Sequence, residues 1–291
     1  MEAKIKVEHL NMKYKQQEVL AIDELSFDSG ISYGIVGHNG AGKTTLFKCM
    51  TNIIPTYTGT ITLEGQNIRE HNEMLLKVGI VLDGMSVYKN RTGWFNIQYF
   101  SGLRGNVDEK KAEKLAQDLE LEGVLDKKVS TYSYGMQKKL ILLIALMHTP
   151  EILILDEPFR GLDIDSVSWF KKYLKSLIKN GLTLIISSHV QNDLETLCDE
   201  VYVIDQGKLI NHINLNEEKQ KMVRVISTSN NARLAELLDQ ANYYYSETDE
   251  DDSLKIDISD ERWTAIREAL QEEKIEIYEL SKVKVLEDKL N

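Results

Sequence analysis

Gly37-His38-Asn39-Gly40-Ala41-Gly42-Lys43-Thr44 has the spacing G-x-x-x-x-G-K-[ST], with a short apolar run (31–36) before it and a helical pattern (44–51) after it. Glycines let this backbone curl until successive N–H groups point at one anion. The helix that follows adds the positive end of its dipole. Lys43 then faces the outer phosphates of a nucleotide. The Thr44 hydroxyl, with Thr45 beside it, is placed for a divalent cation. A chance glycine-rich turn would lack the strand and helix on its flanks.

Further along, residues 152–155 are aliphatic and run into Asp156-Glu157-Pro158. A buried strand ending in two carboxylates before a proline puts both at the carboxyl edge of a sheet, where open α/β sheets bind ligands. Asp156 suits a metal ligand, and Glu157 suits a general base that polarises the attacking water. An Asp-Glu pair capping a helix is the ordinary alternative. His189 follows another such run, 184–187, at the same edge, and is read as a γ-phosphate contact. His38 lies inside the loop, where its backbone rather than its imidazole counts.

Strand patterns at 31–36, 152–155, 184–187 and 201–204 alternate with helical patterns at 109–120, 134–147, 165–180 and 190–198. The expected fold class is therefore α/β with a mainly parallel sheet. Residues 1–10 alternate charged and apolar side chains like an edge strand rather than a leader. The longest apolar run, 140–147, is far short of the ~20 residues that span a bilayer. The chain has 291 residues, 42% hydrophobic and 28% charged, which suits two folded domains and not a disordered chain. Its net charge of −11 argues against nucleic acid as a partner. Cys49 and Cys198 are too few for a disulfide framework. Residues 1–215 carry a net charge of −3 and residues 216–291 carry −8, with a polar stretch at 211–220 read as a linker. This suggests a body, 1–215, and an acidic α+β appendage, 217–291. The appendage shows strand patterns at 222–227 and 254–258, helical ones at 232–240 and 260–272, and an acidic run at 247–252.

In this order the body's motifs resemble the ATP-binding subunit of an ABC transporter. Besides the features above, Tyr14 stands 23 residues before the loop, where that family stacks an aromatic ring on adenine. Gly161-Leu162-Asp163 resembles its D-loop. Ser133-Tyr134-Gly135-Met136-Gln137, at the start of a long helix, occupies the place of its signature LSGGQ. The resemblance implies a P-loop NTPase cassette with a parallel sheet core and a helical subdomain near 84–149. ATP and Mg²⁺ would be cofactors, held by the loop together with Thr44, Asp156 and Asp83. Ser133, Gly135, Met136 and Asp163 would touch ATP held by a second ATP-binding subunit, identical or different. It also implies a transmembrane permease partner and a peripheral place on the cytoplasmic face of the membrane. The spacing and the tail at 278–290 resemble the drug- and peptide-exporter branch. Two positions depart from the family pattern. Tyr134 replaces the signature's first glycine, so its ring must turn aside toward solvent or the partner's nucleotide, and Asp83 replaces a glutamine. The aromatics of 84–100 read mainly as core, with one or two lining a groove for the membrane subunit. A soluble ABC ATPase acting in translation or DNA maintenance is the alternative. Only one phosphate loop is present, and the 90 residues between Lys43 and Ser133 leave no room for a coiled-coil arm.

Overall fold

The computed structural model describes residues 3–105, 107–248, 253–283 and 285–290. They form two units, Met1–Ile213 and Asn214–Asn291. In the first, the strands are β1 (Ala3–Tyr14), β2 (Gln17–Asp28), β3 (Ser32–Val36), β4 (Thr58–Leu63), β5 (Gln66–Asn67), β6 (Val78–Val81), β7 (Ile152–Asp156), β8 (Thr183–Ser187), β9 (Glu200–Asp205) and β10 (Lys208–Asn214). The helices are α1 (Lys43–Met50), α2 (Gly93–Gly102), α3 (Glu109–Asp118), α4 (Tyr134–Met147), α5 (Ile164–Lys179) and α6 (Gln191–Leu197).

Six strands form one sheet in the order β10-β9-β3-β8-β7-β6, in which the five strands β9, β3, β8, β7 and β6 run parallel to one another. Every residue of β7 and β8 is buried, as expected of aliphatic strands covered on both faces. A second, antiparallel sheet in the order β2-β1-β4-β5 was not read from the sequence beyond its first ten residues. Its inner face (Ile5, Val7, Leu10, Met12, Leu20, Ile22, Phe27) shares one core with Leu46, Phe47 and Met50 of α1 and Ile35, Ile154 and Ile185 of the parallel sheet. α1 is thereby held with its first turn at the parallel sheet's carboxyl edge.

The helices α2, α3 and α4 begin at Thr92, Asp108 and Ser133, whose side chains each accept a backbone N–H three residues on. Beyond α4, Lys111 Nζ donates to the carbonyls of Leu146 and Met147, satisfying orphan acceptors of the helix end.

The expected linker at 211–220 is corrected: these residues finish β10 and form the helix α7 (Leu215–Gln220). Ile213 and Leu215 are buried, and Asn214 caps α7 by accepting from the N–H groups of Asn216 and Glu217. The second unit continues with β11 (Val223–Thr228), α8 (Asn231–Gln240), β12 (Tyr245–Glu247), β13 (Leu254–Asp257), α9 (Arg262–Glu272), β14 (Ile277–Lys282) and α10 (Val285–Leu290). Its sheet, β12-β13-β11-β14, is antiparallel at every pairing, which makes the βαββαβ a split βαβ. Ile226, Leu234, Leu238, Ile256, Trp263 and Leu270 lie in its core. Residues 249–252 of the acidic run and Lys284 of the tail lie outside the described residues.

At the end of α4, His148 Nε2 lies 2.7 Å from Arg104 Nη1, which also donates to the Val78 carbonyl. Burial, reinforced by Arg104, pushes the imidazole down to about 4. Between the ordinary histidine range and pH 4 the unfolded chain therefore binds a proton that the folded chain refuses. Stability is thus lost as pH falls through that window. His148→Gln is expected to flatten this decline by about 1–2 kcal/mol, given the ring's partial exposure. Urea midpoints at pH 7 and pH 4.5 check it, and an unchanged slope in the variant would exclude His148 as the cause.

Candidate nucleotide site

The loop 37–44 joins β3 to α1, and its geometry explains its glycines. A Cβ on Gly37 would lie 2.2 Å from the Ile204 carbonyl oxygen. Gly42 has φ +109°, with the Leu20 side chain 2.7 Å from where a Cβ would be. No side chain fits at either position. Lys43 is 8% exposed and its Nζ donates to the carbonyls of Gly37 (2.5 Å) and His38 (3.2 Å). Burial lowers its pKa, while Glu157 and Asp156 oppose the shift. The ammonium thus braces the loop from inside, next to the Asp156 and Glu157 carboxylates at the end of β7.

Thr44 Oγ1 donates to Asp156 Oδ2 at 2.5 Å, and Ser187 Oγ donates to Asp156 Oδ1 at 2.5 Å. Glu157 follows with φ +48°, a left-handed conformation unusual for a residue with a side chain. Its N–H lies within hydrogen-bonding reach of both the carbonyl and the hydroxyl of Ser187, each at 3.2 Å. Glu157 Oε2 accepts the His189 N–H at 3.4 Å. The His189 Nε2 stands 3.3 Å from Oε1, which is buried without a hydrogen bond. Burial raises the Glu157 pKa, and His189 opposes that rise. A carboxylate that is basic, buried and short of one partner is suited to take a proton from a water molecule.

Asn39, Gly40, Ala41, Gly42, Lys43, Thr44 and Thr45 line one cavity of about 280 Å³ together with Asp83, Asp156, Glu157 and His189. Sequence reasoning missed three neighbours of this site. Val19 and Arg160 line the cavity, and Asp205 holds His38 Nε2 at 2.7 Å from its Oδ1. Asp83 is partly exposed and faces Arg160, whose Nη1 is 3.8 Å from Oδ2. Tyr14 stands exposed beside the hairpin turn between β1 and β2 and does not line this cavity.

A second group lies outside the cavity. Ser133 caps α4 by accepting the Met136 N–H at 3.2 Å. Asp163 caps α5 in the same way through Ser166 and also meets Lys139 Nζ at 3.1 Å. The Ser166 N–H bond, aided by the Ser166 hydroxyl and Lys139, holds the Asp163 carboxyl well below the usual range. Gly135 and Met136 lie half-buried in the first turn of α4 beside this group.

The family model of ABC transporters matches residues 20–160. The chain is 34% identical over 260 residues to the bacitracin transport ATP-binding protein BcrA of Enterococcus faecalis, covering 88% of this chain and 84% of that one. It is 30% identical to the lantibiotic transport ATP-binding protein SrtF of Streptococcus pyogenes, over 71% of this chain and 89% of that one. A solved ATP-binding subunit of an ABC transporter shares the fold with a TM-score of 0.69 over 74% of this chain and 92% of its own, at 23% identity. With a phosphate loop seated at the edge of a parallel sheet and relatives of this similarity along most of its length, the chain belongs to the ABC transporter family, as an ATP-binding and ATP-hydrolysing cassette.

Proposed function

We propose that this cassette powers export of a peptide or drug through a separately encoded membrane subunit, at the cytoplasmic face of the membrane. The single observation that carries the catalytic part is the gathering of Lys43, Thr44, Asp156, Glu157 and His189 around one cavity, with Glu157 Oε1 buried and lacking a hydrogen bond. The export reading draws on the relatives named for bacitracin and lantibiotic transport. Among the described residues no helix is long and apolar enough to cross a membrane.

ATP phosphates would lie on the N–H groups of residues 39–44, with Lys43 turning from the loop carbonyls to the outer phosphates. The donors also fit Mg²⁺. Thr44 Oγ1 and Asp156 Oδ2 are hard oxygen ligands already side by side. Among the described residues no cluster of three His, Cys, Asp or Glu could hold a metal alone. One carboxylate, a hydroxyl and substrate phosphates are the donors Mg²⁺ ordinarily takes. When bound, the ion would neutralise charge developing on the phosphate oxygens. Glu157 would accept the proton of the attacking water while His189 orients its carboxylate and meets the γ-phosphate.

The second group, Ser133, Gly135, Met136 and Asp163, sits outside the cavity and so would serve ATP carried by a partner cassette in a head-to-tail dimer. The permease would dock near an aromatic cluster. There Tyr88, Phe95, Tyr99 and Phe100 have ring centroids 5.3–6.2 Å apart, and Tyr88 and Tyr99 remain exposed.

Glu157→Gln keeps the shape and removes the base. Hydrolysis is expected to fall on the order of 10²-fold or more with ATP binding retained. A variant above half the parental rate in a phosphate-release assay would remove Glu157 from this role. Lys43→Ala is expected to weaken ATP roughly 10–100-fold, the loss of one charge-assisted hydrogen bond. Calorimetric titration measures it, and unchanged affinity would sink the phosphate-site assignment.

A further inference from the structure

We infer that Tyr134 is a positioning residue that ties the first turn of α4 to the turn carrying Glu157, so that engagement of that helix end is felt at the base of the same chain. The inference rests on the head-to-tail reading above. Tyr134 stands among exposed residues, 58% accessible, and its ring lies directly against Gly161. A Cβ on Gly161 would fall 2.3 Å from Cε1 and 2.6 Å from Cδ1 of that ring, and Gly161 has φ +81°. Glycine is required there twice over, once for the backbone and once for the ring. Beside it, a Cβ on Gly135 would come 2.9 Å from the Gly161 carbonyl oxygen, so the two backbones touch with no side chain between them. One turn farther along α4, Lys139, almost fully buried, holds Asp163 at 3.1 Å. The helix therefore grips the turn at two points.

At its other end the same turn begins with Glu157 in its left-handed conformation. Between them the chain is short and internally bonded: the Arg160 N–H donates to the Glu157 carbonyl at 3.4 Å and the Leu162 N–H to the Phe159 carbonyl at 3.1 Å. Arg160 also reaches Asp83. A turn bonded this tightly transmits a displacement of Gly161 toward Glu157 instead of absorbing it. Tyr134 lies at the N-terminal residue of α4, next to Ser133, where the partner's phosphate would arrive. A phosphate bound at Ser133 would fix Tyr134, and through Gly161 the placement of Glu157. Bulk at the signature's first glycine position acts in this chain as a wedge aimed at its own loop.

The test compares the full-length parent with Tyr134→Ala, Tyr134→Phe, Gly161→Ala and the double variant, measuring kcat, KM and ATP affinity by titration. Tyr134→Ala is expected to lower kcat roughly ten-fold, since small displacements of a catalytic group cost this much or more, with KM and affinity within about two-fold. Tyr134→Phe, which keeps the ring, should match the parent. Gly161→Ala should lose more, and adding Tyr134→Ala to it should recover part of the loss, because the backbone strain is common to both but the ring clash is not. A parental kcat in Tyr134→Ala, a matching rise in KM, or no recovery in the double variant would overturn the inference while leaving the export reading intact. A chain that binds and hydrolyses ATP but, as Glu157→Gln with ATP, pairs neither with itself nor with a co-expressed second cassette would overturn the head-to-tail reading and this inference with it.

Discussion

Asp156, 2% exposed at the end of β7, accepts hydroxyl bonds from Thr44 on α1 and Ser187 on β8, both at 2.5 Å. A carboxylate at that depth is costly unless its oxygens are occupied, so it holds three elements in register. Its pull on Thr44 seats the first turn of α1, and the first turn of α1 orients the phosphate loop. Its pull on Ser187 aligns β8 with β7, and Ser187 in turn receives the N–H of Glu157. Loop, Glu157 and His189 are thus referred to one buried charge.

Around that charge the site balances its signs. Asp83, Asp156 and Glu157 are met by Lys43, by Arg160 and by Lys138, a residue of α4 that is 6% exposed. Burial pushes the Lys138 pKa down, and Asp83, Asp156 and Glu157 push it back up while Arg160 opposes them. Asp83, at the position where the resemblance implies a glutamine, is accommodated by Arg160, a cation from the turn that follows Glu157. The third carboxylate therefore does not leave the cavity with uncompensated negative charge.

The parallel sheet, its phosphate loop and α4 were legible because their signals are local: short aliphatic runs, a fixed glycine spacing, a serine cap before Tyr134–Met147. The antiparallel sheet was not. In β1 the buried positions step Ile5, Val7, then Leu10, Met12, because His9 adopts φ +49° and the register slips between Glu8 and Asn11. A bulge of this kind breaks the two-residue alternation by which a strand announces itself. β14 hid for a different reason: as an edge strand with exposed Ile277, Tyr278 and Leu280 it has no buried face to produce a pattern. Arg160 beside Asp83 and Tyr134 on Gly161 join residues 77 and 27 positions apart, contacts that no spacing rule encodes. The polar composition of 211–220 concealed Ile213 and Leu215, two apolar side chains sufficient to order the stretch.

The strand order also sets a timetable for the chain as it emerges from the ribosome. β3 is flanked by β8 and β9, so the residue pairs Tyr33–Ile185 and Tyr33–Glu200 cannot form until some 150–170 further residues have been made. Until then the phosphate loop lacks the Ile204 carbonyl that crowds Gly37 and the Ser187 hydroxyl that holds Asp156. β1, β2 and β4, by contrast, are complete by residue 63 and can pair at once. The antiparallel sheet is therefore available early as a platform for α1, and nucleotide binding is a late acquisition, gained only after two-thirds of the polypeptide exists.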